Sequence, residues 1–249
     1  MKKMILTAIA VMMSALLMNV KAQVKIGDIM EKSGTKGIVV YVDESGQHGL
    51  LMSVTHVPLK QKLWCGRNYK EERTGANSED DGQFNTKTVV DYAKNKGFQL
   101  KEAFPLFDWC VNTCGDGWYI PSINELLLMT KNVVGVEGQG EINFVINSDS
   151  FKAFEKKLKK AKGNSMLGGS DKELLIINSS TELKRNSLGR CDIASVTFTT
   201  LFDSHAGAAA KAALSTFGFK NNSGKGKYQR FDGFDKTSSS VGTRAFYKF

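Results

Sequence analysis

Strand-like patterns lie at both ends of this chain, and helical patterns lie between them. Residues 37–42 are a β-branched run, residues 43–46 supply a turn, and residues 49–54 return as an apolar stretch. This arrangement predicts a β-hairpin. Strand-like segments reappear at residues 174–177, 193–202 and 241–249. Because strands and helices are segregated rather than alternating, the order predicts an α+β fold whose sheet is built from both ends of the chain.

The middle of the chain predicts helices over residues 86–96, 102–111 and 150–161, and a further helix with a well-defined start. That start is the stretch Pro121-Ser122-Ile123-Asn124-Glu125. Ser122 can accept from the backbone N–H of Glu125, and Glu125 can accept from that of Ser122, which is a capping box. The cap accounts for Glu125 better than a catalytic acid does. Polar, glycine-rich composition predicts exposed loops at residues 66–85, 221–227 and 232–240.

The first 22 residues are typical of a cleavable export signal. Lys2 and Lys3 precede a mainly apolar run, and Val20-Lys21-Ala22 offers a peptidase site before Gln23. The run is slightly short for a membrane anchor, which needs about 20 apolar residues. We therefore expect residues 1–22 to be a signal peptide and residues 23–249 to be a single domain without a transmembrane segment. Sec export would place it in the periplasm, at the cell surface or outside the cell.

The charge of the chain is concentrated in one segment. The formal net charge is +9, and loss of the three lysines of the signal leaves +6. Residues 152–162 hold six lysines, while Phe151, Phe154 and Leu158 follow helical spacing and predict a buried stripe. Such a face either only keeps a surface helix solvated or binds an anionic polysaccharide or an acidic extracellular protein. Export argues against nucleic acid. The candidate ligand-binding residues are Lys152, Lys156, Lys157, Lys159 and Lys160.

The four cysteines are disulfide candidates, because an exported chain meets an oxidising compartment. Four cysteines allow three connectivities, and the favoured bonds are Cys110 with Cys114, or Cys65 with Cys191. No cysteine or histidine spacing indicates a zinc site. No common catalytic motif is present. The sequence therefore predicts neither a metal nor another cofactor, and no enzymatic activity.

Several segments, taken in order, resemble a family of exported bacterial domains named after the C-terminal domain of the Legionella collagen-like adhesin. They are the hairpin at residues 37–51, the stretch 117–126 (GWYIPSINEL), Ser179-Ser180-Thr181-Glu182, and residues 241–246 (VGTRAF). The chain departs from the family at Asn178, where an aromatic residue is usual, at Gly242, where arginine is usual, and in a longer stretch at residues 137–170.

The resemblance implies a C-type-lectin-like fold with an N-terminal hairpin, central helices and C-terminal strands. In such folds the loop surface carries binding. We therefore expect a non-catalytic binding or adhesion module that recognises glycans or matrix components. The alternatives are a structural or assembly component of the cell envelope, or an enzyme related to the formylglycine-generating enzymes. The calcium-ligand triplets of calcium-dependent lectins are missing from the sequence, which argues against a calcium site.

Overall fold

The fold of this chain is known from a computed structural model. The predicted signal peptide at residues 1–22 and Cys191 lie outside the residues that it describes. The described residues are 23–134, 142–144, 149–166, 175–183, 192–200, 226–238 and 242–249.

The architecture is α+β with antiparallel sheets, as the order of the sequence patterns predicts. The strands are β1 (Ile29–Lys32), β2 (Thr35–Val42), β3 (Gly49–Ser53), β4 (Trp118–Tyr119), β5 (Ile142–Phe144), β6 (Leu175–Glu182), β7 (Asp192–Thr200), β8 (Gly226–Asp235) and β9 (Phe246–Lys248). The helices are α1 (Gly82–Lys96), α2 (Leu100–Ala103), α3 (Pro105–Trp109), α4 (Ile123–Val134) and α5 (Asp149–Lys160), and a π-helical turn spans Cys110–Cys114.

One sheet joins the two ends of the chain. Its strand order is β1-β2-β3-β9-β4, so the last strand pairs with β3 on one side and β4 on the other. Strand alternation sends Val39 and Leu51 to one face, and Ile38, Val40 and Met52 to the other. Helices α4 and α5 pack on the second face, and the first face is covered by the segment from α1 to the π-helical turn. The central strands β2 and β3 are therefore buried on both sides.

The second sheet has the order β5-β8-β7-β6. Here the predicted loops at residues 221–227 and 232–240 are partly wrong, because residues 226–235 form the long strand β8. Composition indicated a loop, but β8 pairs with β7 from Asp192↔Asp235 to Thr200↔Gly226. Long-range pairing of this kind overrides a local preference for loops. Residues 221–225 lie outside the described part.

The helices also differ from the predicted ones in detail. Asp81 accepts from the N–H of Phe84, so α1 begins at Gly82, four residues earlier than predicted. The single helix predicted over residues 102–111 is two short helices, because Pro105 starts a new one at its first turn. Within the described residues, no helix combines the length and the apolar character needed to cross a membrane.

Candidate functional site: the basic face of helix α5

Helix α5 presents its lysines to solvent, as its sequence pattern predicts. Phe151, Phe154 and Leu158 are 2%, 4% and 0% exposed, and all three belong to the core between α5 and the first sheet. The opposite side of the helix, which we call the basic face, consists of five exposed lysines: Lys152, Lys156, Lys157, Lys159 and Lys160. Because the apolar stripe is anchored in the core, the orientation of the basic face is fixed.

The charges of the basic face are not neutralised within the described part of the chain. None of its five lysines there has a carboxylate oxygen within the 4.0 Å of an ion pair. The Lys157 Nζ donates to the backbone carbonyl of Ile26 at 3.3 Å, which is a neutral partner. Like charges on neighbouring turns repel one another. Because no carboxylate offsets this positive charge, the basic face attracts anions from solution.

The chain turns sharply at the C-terminal end of α5. The N–H of Gly163 donates to the carbonyl of Leu158 at 2.9 Å, and that of Lys162 donates to Lys159 at 3.0 Å. These two bonds form a Schellman motif. Lys162 occupies its left-handed position with φ of 61°. The motif satisfies the terminal carbonyls and brings the following segment back alongside the helix.

This turn creates a shallow depression open to solvent at the end of the basic face, which we call the hollow. Its volume is about 290 Å³, and it is lined by Glu155, Lys156, Lys159, Gly163 and Ser165. The Glu155 Oε1 accepts from the backbone N–H of Met166 at 2.7 Å. Two lysines and one fixed carboxylate therefore meet at the same surface depression.

A buried arginine braces the wall of the hollow from behind. The guanidinium of Arg244 is 2% exposed. Its Nη1 donates to the carbonyls of Ser53 and Val54 at 3.0 and 2.6 Å, and its Nη2 donates to those of Asn164 and Ser165 at 2.8 and 3.2 Å. Sequence reasoning treated Arg244 as a strand residue of the terminal motif and missed this role. The signal available was a charged residue within a segment whose alternation predicts a strand.

The Ser-Ser-Thr-Glu motif is internal rather than part of a surface site. Ser179 to Glu182 are all buried. The Glu182 Oε2 accepts from the backbone N–H groups of Thr74 and Gly75 at 3.0 and 2.9 Å, and the Thr181 hydroxyl donates to the Ser78 carbonyl at 2.9 Å. The prediction of an exposed loop at residues 66–85 is therefore wrong in part. Hydrogen bonds to the motif hold the middle of this segment against β6, and Thr74 is buried there.

A buried lysine completes this network. The ammonium of Lys236 contacts the Glu182 Oε1, donates to the Glu72 carbonyl at 2.8 Å and lies 4.7 Å from the ring centroid of Trp64. Lys236 and Glu182 are both 1% exposed at their side chains. A buried ion pair with this many partners serves structure rather than contact with a ligand.

Glu125 forms the predicted capping box and also has further partners. Its backbone N–H donates to the Ser122 hydroxyl at 3.3 Å, and its Oε2 accepts from the Ser122 N–H at 2.9 Å. The Oε2 also accepts from the N–H of Gly82 at 3.1 Å. The Oε1 accepts from the Tyr119 hydroxyl at 2.8 Å and lies 3.4 Å from the Lys248 ammonium. These contacts link four segments of the fold through one carboxylate.

The same network shifts the pKa values of two neighbours. Burial, followed by the charge and hydrogen bond of Glu125, raises the pKa of Tyr119 far above its usual value. Partial burial acts to raise the pKa of Asp81, but the N–H of Phe84 and the ammonium of Lys248 outweigh it, and the pKa lies below 3.8. The acid cluster at residues 79–81 is thus partly engaged in capping α1.

The cysteine pair lies inside the fold. Cys110 and Cys114 are buried at the two ends of the π-helical turn. Burial, and then the neighbouring Cys114, raise the pKa of Cys110 well above its usual value, so its thiolate is scarce at neutral pH. Cys65, Cys110 and Cys114 form no disulfide with one another in this structure, and Cys191 lies outside the described residues. Both favoured pairings stay predictions.

Among the described residues, no group of three or more histidine, cysteine, aspartate or glutamate side chains could hold a metal ion. In comparisons with protein-family models, curated proteins and solved structures, nothing matches this chain. The function must therefore be argued from the site itself.

Proposed function

We propose that this chain is an exported, non-catalytic binding module that recognises an anionic polysaccharide through the basic face of α5, on a scaffold with a C-type-lectin-like fold. The observation that carries the proposal is the exposure of five lysines on one fixed helix face without a carboxylate partner in the described residues. A merely solvated helix gains solubility from mixed charges, whereas an uncompensated positive face also attracts polyanions.

The scaffold supports this proposal in two ways. The first sheet joins β1 to β3 with the distant strand β9, so it forms one continuous scaffold under α5. The side of α5 that faces the core is filled by Phe151, Phe154 and Leu158. Helix α5 therefore has no free apolar face to insert into a membrane, and its exposed lysines bind partners through electrostatic contact.

The candidate groups for catalysis have structural partners instead. Glu125 accepts hydrogen bonds from three donors, and Glu182 is paired with a buried lysine. The raised pKa of Cys110 makes its thiol a poor nucleophile. These contacts favour a binding role over the enzyme alternative.

The experiment is charge reversal on the basic face. The variant K156E/K157E/K160E of the exported protein is compared with K60E/K94E/K101E, which reverses three exposed lysines elsewhere. Both change the net charge equally, so binding to immobilised heparin should fall by about tenfold or more only in the first. An equal loss in both variants would mean that net charge alone attracts the polymer.

Two further arms test the class of partner. Binding of the exported protein to heparin should weaken steeply with salt and persist with a calcium chelator. Tighter binding to an acidic protein than to heparin at the same salt would contradict a polysaccharide partner. Wild-type binding that is indistinguishable from that of K156E/K157E/K160E would remove α5 as the site.

A further inference from the structure

We propose that the hollow recognises one unit of the anionic partner, and that this unit carries both a negative group and hydroxyl groups. The inference rests on the proposed function. Lys156 and Lys159 bind the negative group, and Glu155 accepts a hydrogen bond from a hydroxyl. An acidic sugar residue within a chain has this chemistry, whereas a bare polyphosphate does not.

The size of the hollow fits a single unit. Its volume of about 290 Å³ lies just below the range of small-molecule sites, which is roughly 300 to 1,000 Å³. Because the hollow is open to solvent along the helix, a unit in the middle of a polymer can enter it without a free chain end. The remaining lysines of the basic face then lie beside the neighbouring units.

The lining of the hollow combines opposite charges. Lys156 and Lys159 are three residues apart on α5 and so lie side by side. The Glu155 Oε1 is held by the N–H of Met166, and no described residue donates to its Oε2. That oxygen is available to a hydroxyl donor. A partner with negative groups alone is repelled by this carboxylate, so Glu155 is a specificity-determining residue.

The wall of the hollow is preorganised. Arg244 binds the carbonyls of Asn164 and Ser165, and the N–H of Asn164 donates to Val54 at 2.9 Å. A side chain at Gly163 would place its Cβ 2.5 Å from the Val54 carbonyl oxygen, so the backbone there is tightly packed. A wall that is already ordered loses little freedom when a ligand binds. Arg244 is in this sense a positioning residue.

The first test compares two double charge reversals on the same helix. K156E/K159E alters the hollow, whereas K152E/K160E alters the basic face outside it, and both change the net charge by the same amount. The exported protein's binding to heparin at near-physiological salt should fall by about tenfold or more in K156E/K159E and by no more than about threefold in K152E/K160E.

The outcomes separate this inference from the proposed function. If both double variants lose affinity equally, attraction is diffuse and the hollow is not a site, while the proposed function stands. If neither variant changes heparin binding, or the wild type does not bind, the proposed function fails and the hollow fails with it.

The second test concerns Glu155 and uses heparin and inorganic polyphosphate as probes. E155Q keeps an oxygen for the N–H of Met166 but removes the negative charge. The ratio of heparin affinity to polyphosphate affinity should fall by about threefold or more, because repulsion of the bare polyanion is relieved. Equal tightening towards both polymers would show that Glu155 contributes only general charge, and would overturn its role in specificity.

Discussion

At the scale of single residues, Glu125 shows how a sequence motif can be right and still incomplete. The spacing of Ser122 and Glu125 predicts the capping box, which the structure confirms. The contacts with Gly82 and Lys248 join segments far apart in sequence, and the contact with Tyr119, six residues away, lies outside the capping-box spacing, so the motif predicts none of them. The full role of the carboxylate therefore depends on tertiary structure.

We expect E125Q to be more destabilising than S122A. Loss of the Ser122 hydroxyl removes one cap bond and should lower the free energy of unfolding by about 1 kcal/mol. The amide of a glutamine at 125 has only one oxygen, so it cannot accept both from the Tyr119 hydroxyl and from the N–H groups of Gly82 and Ser122. At least one of these buried donors loses its partner, which should lower the free energy of unfolding by about 2 to 3 kcal/mol. Denaturant unfolding of both variants measures the difference. Equal costs would mean that only the cap matters.

The same variant has a second readout in the ionisation of Tyr119. The folded pKa of Tyr119 lies above its ordinary value of 10.0, so this group stabilises the fold below pH 10 and its contribution is lost as pH rises above that value. In the wild type, tyrosinate absorbance from Tyr119 should appear only as the protein unfolds in alkali. In E125Q it should appear at lower pH, and Y119F identifies the signal.

At the scale of elements, α5 shows where local patterns are sufficient. The spacing of its three apolar residues predicts which side is buried, because a regular helix repeats every 3.6 residues. The region of α2, α3 and the π-helical turn was not predictable in the same way, because Pro105 ends one helical segment and the chain changes to a π-helical turn at Cys110. The hollow was also missed, because it arises from the turn after α5.

That turn carries a strained residue whose replacement should stabilise the protein. Lys162 has a φ of 61°, a conformation that costs a residue with a Cβ roughly 1 to 2 kcal/mol. Glycine avoids this cost but loses more backbone entropy on folding, by about 0.5 to 1 kcal/mol. K162G should therefore raise the free energy of unfolding by a few tenths to about 1 kcal/mol.

The matched control is K162A, which removes the same charge but keeps the Cβ. Thermal or denaturant unfolding of the two variants and the wild type separates charge from backbone conformation. A K162A protein as stable as K162G would show that relief of lysine repulsion, rather than the left-handed backbone, is the cause.

At the scale of the whole molecule, the sequence predicts the class of fold better than its connections. The hairpin and the strand-rich ends follow from alternation and turn residues, so an α+β fold was predictable. The position of β9 between β3 and β4 was not, because pairing over such a distance leaves no local trace. The loop composition at residues 226–227 and 232–235 was misleading for the same reason, because these residues form the ends of β8 through pairing with β7.

The buried pair of Lys236 and Glu182 links the second sheet to Trp64 and to the loop around Thr74. Lys236 follows β8 and its ammonium lies over the Trp64 ring, whereas Glu182 ends β6 and accepts from the N–H of Thr74. Both charges are buried, so each is tolerated only because the other is present. The sequence offered no means of identifying the pair, because the two residues are 54 positions apart.

Because each charge depends on the other, removing the lysine alone should lower the free energy of unfolding more than removing both charges. K236M leaves the Glu182 carboxylate buried without its cation and should lower the free energy of unfolding by about 3 to 5 kcal/mol. In E182Q/K236M no charge remains buried, and the glutamine oxygen can still accept from Thr74 and Gly75. The double variant should therefore be more stable than K236M alone. Denaturant unfolding of the wild type, E182Q, K236M and the double variant completes the cycle. Costs that simply add would mean that the two charges do not depend on each other, and that the Glu72 carbonyl and the Trp64 ring, rather than Glu182, hold Lys236 in place.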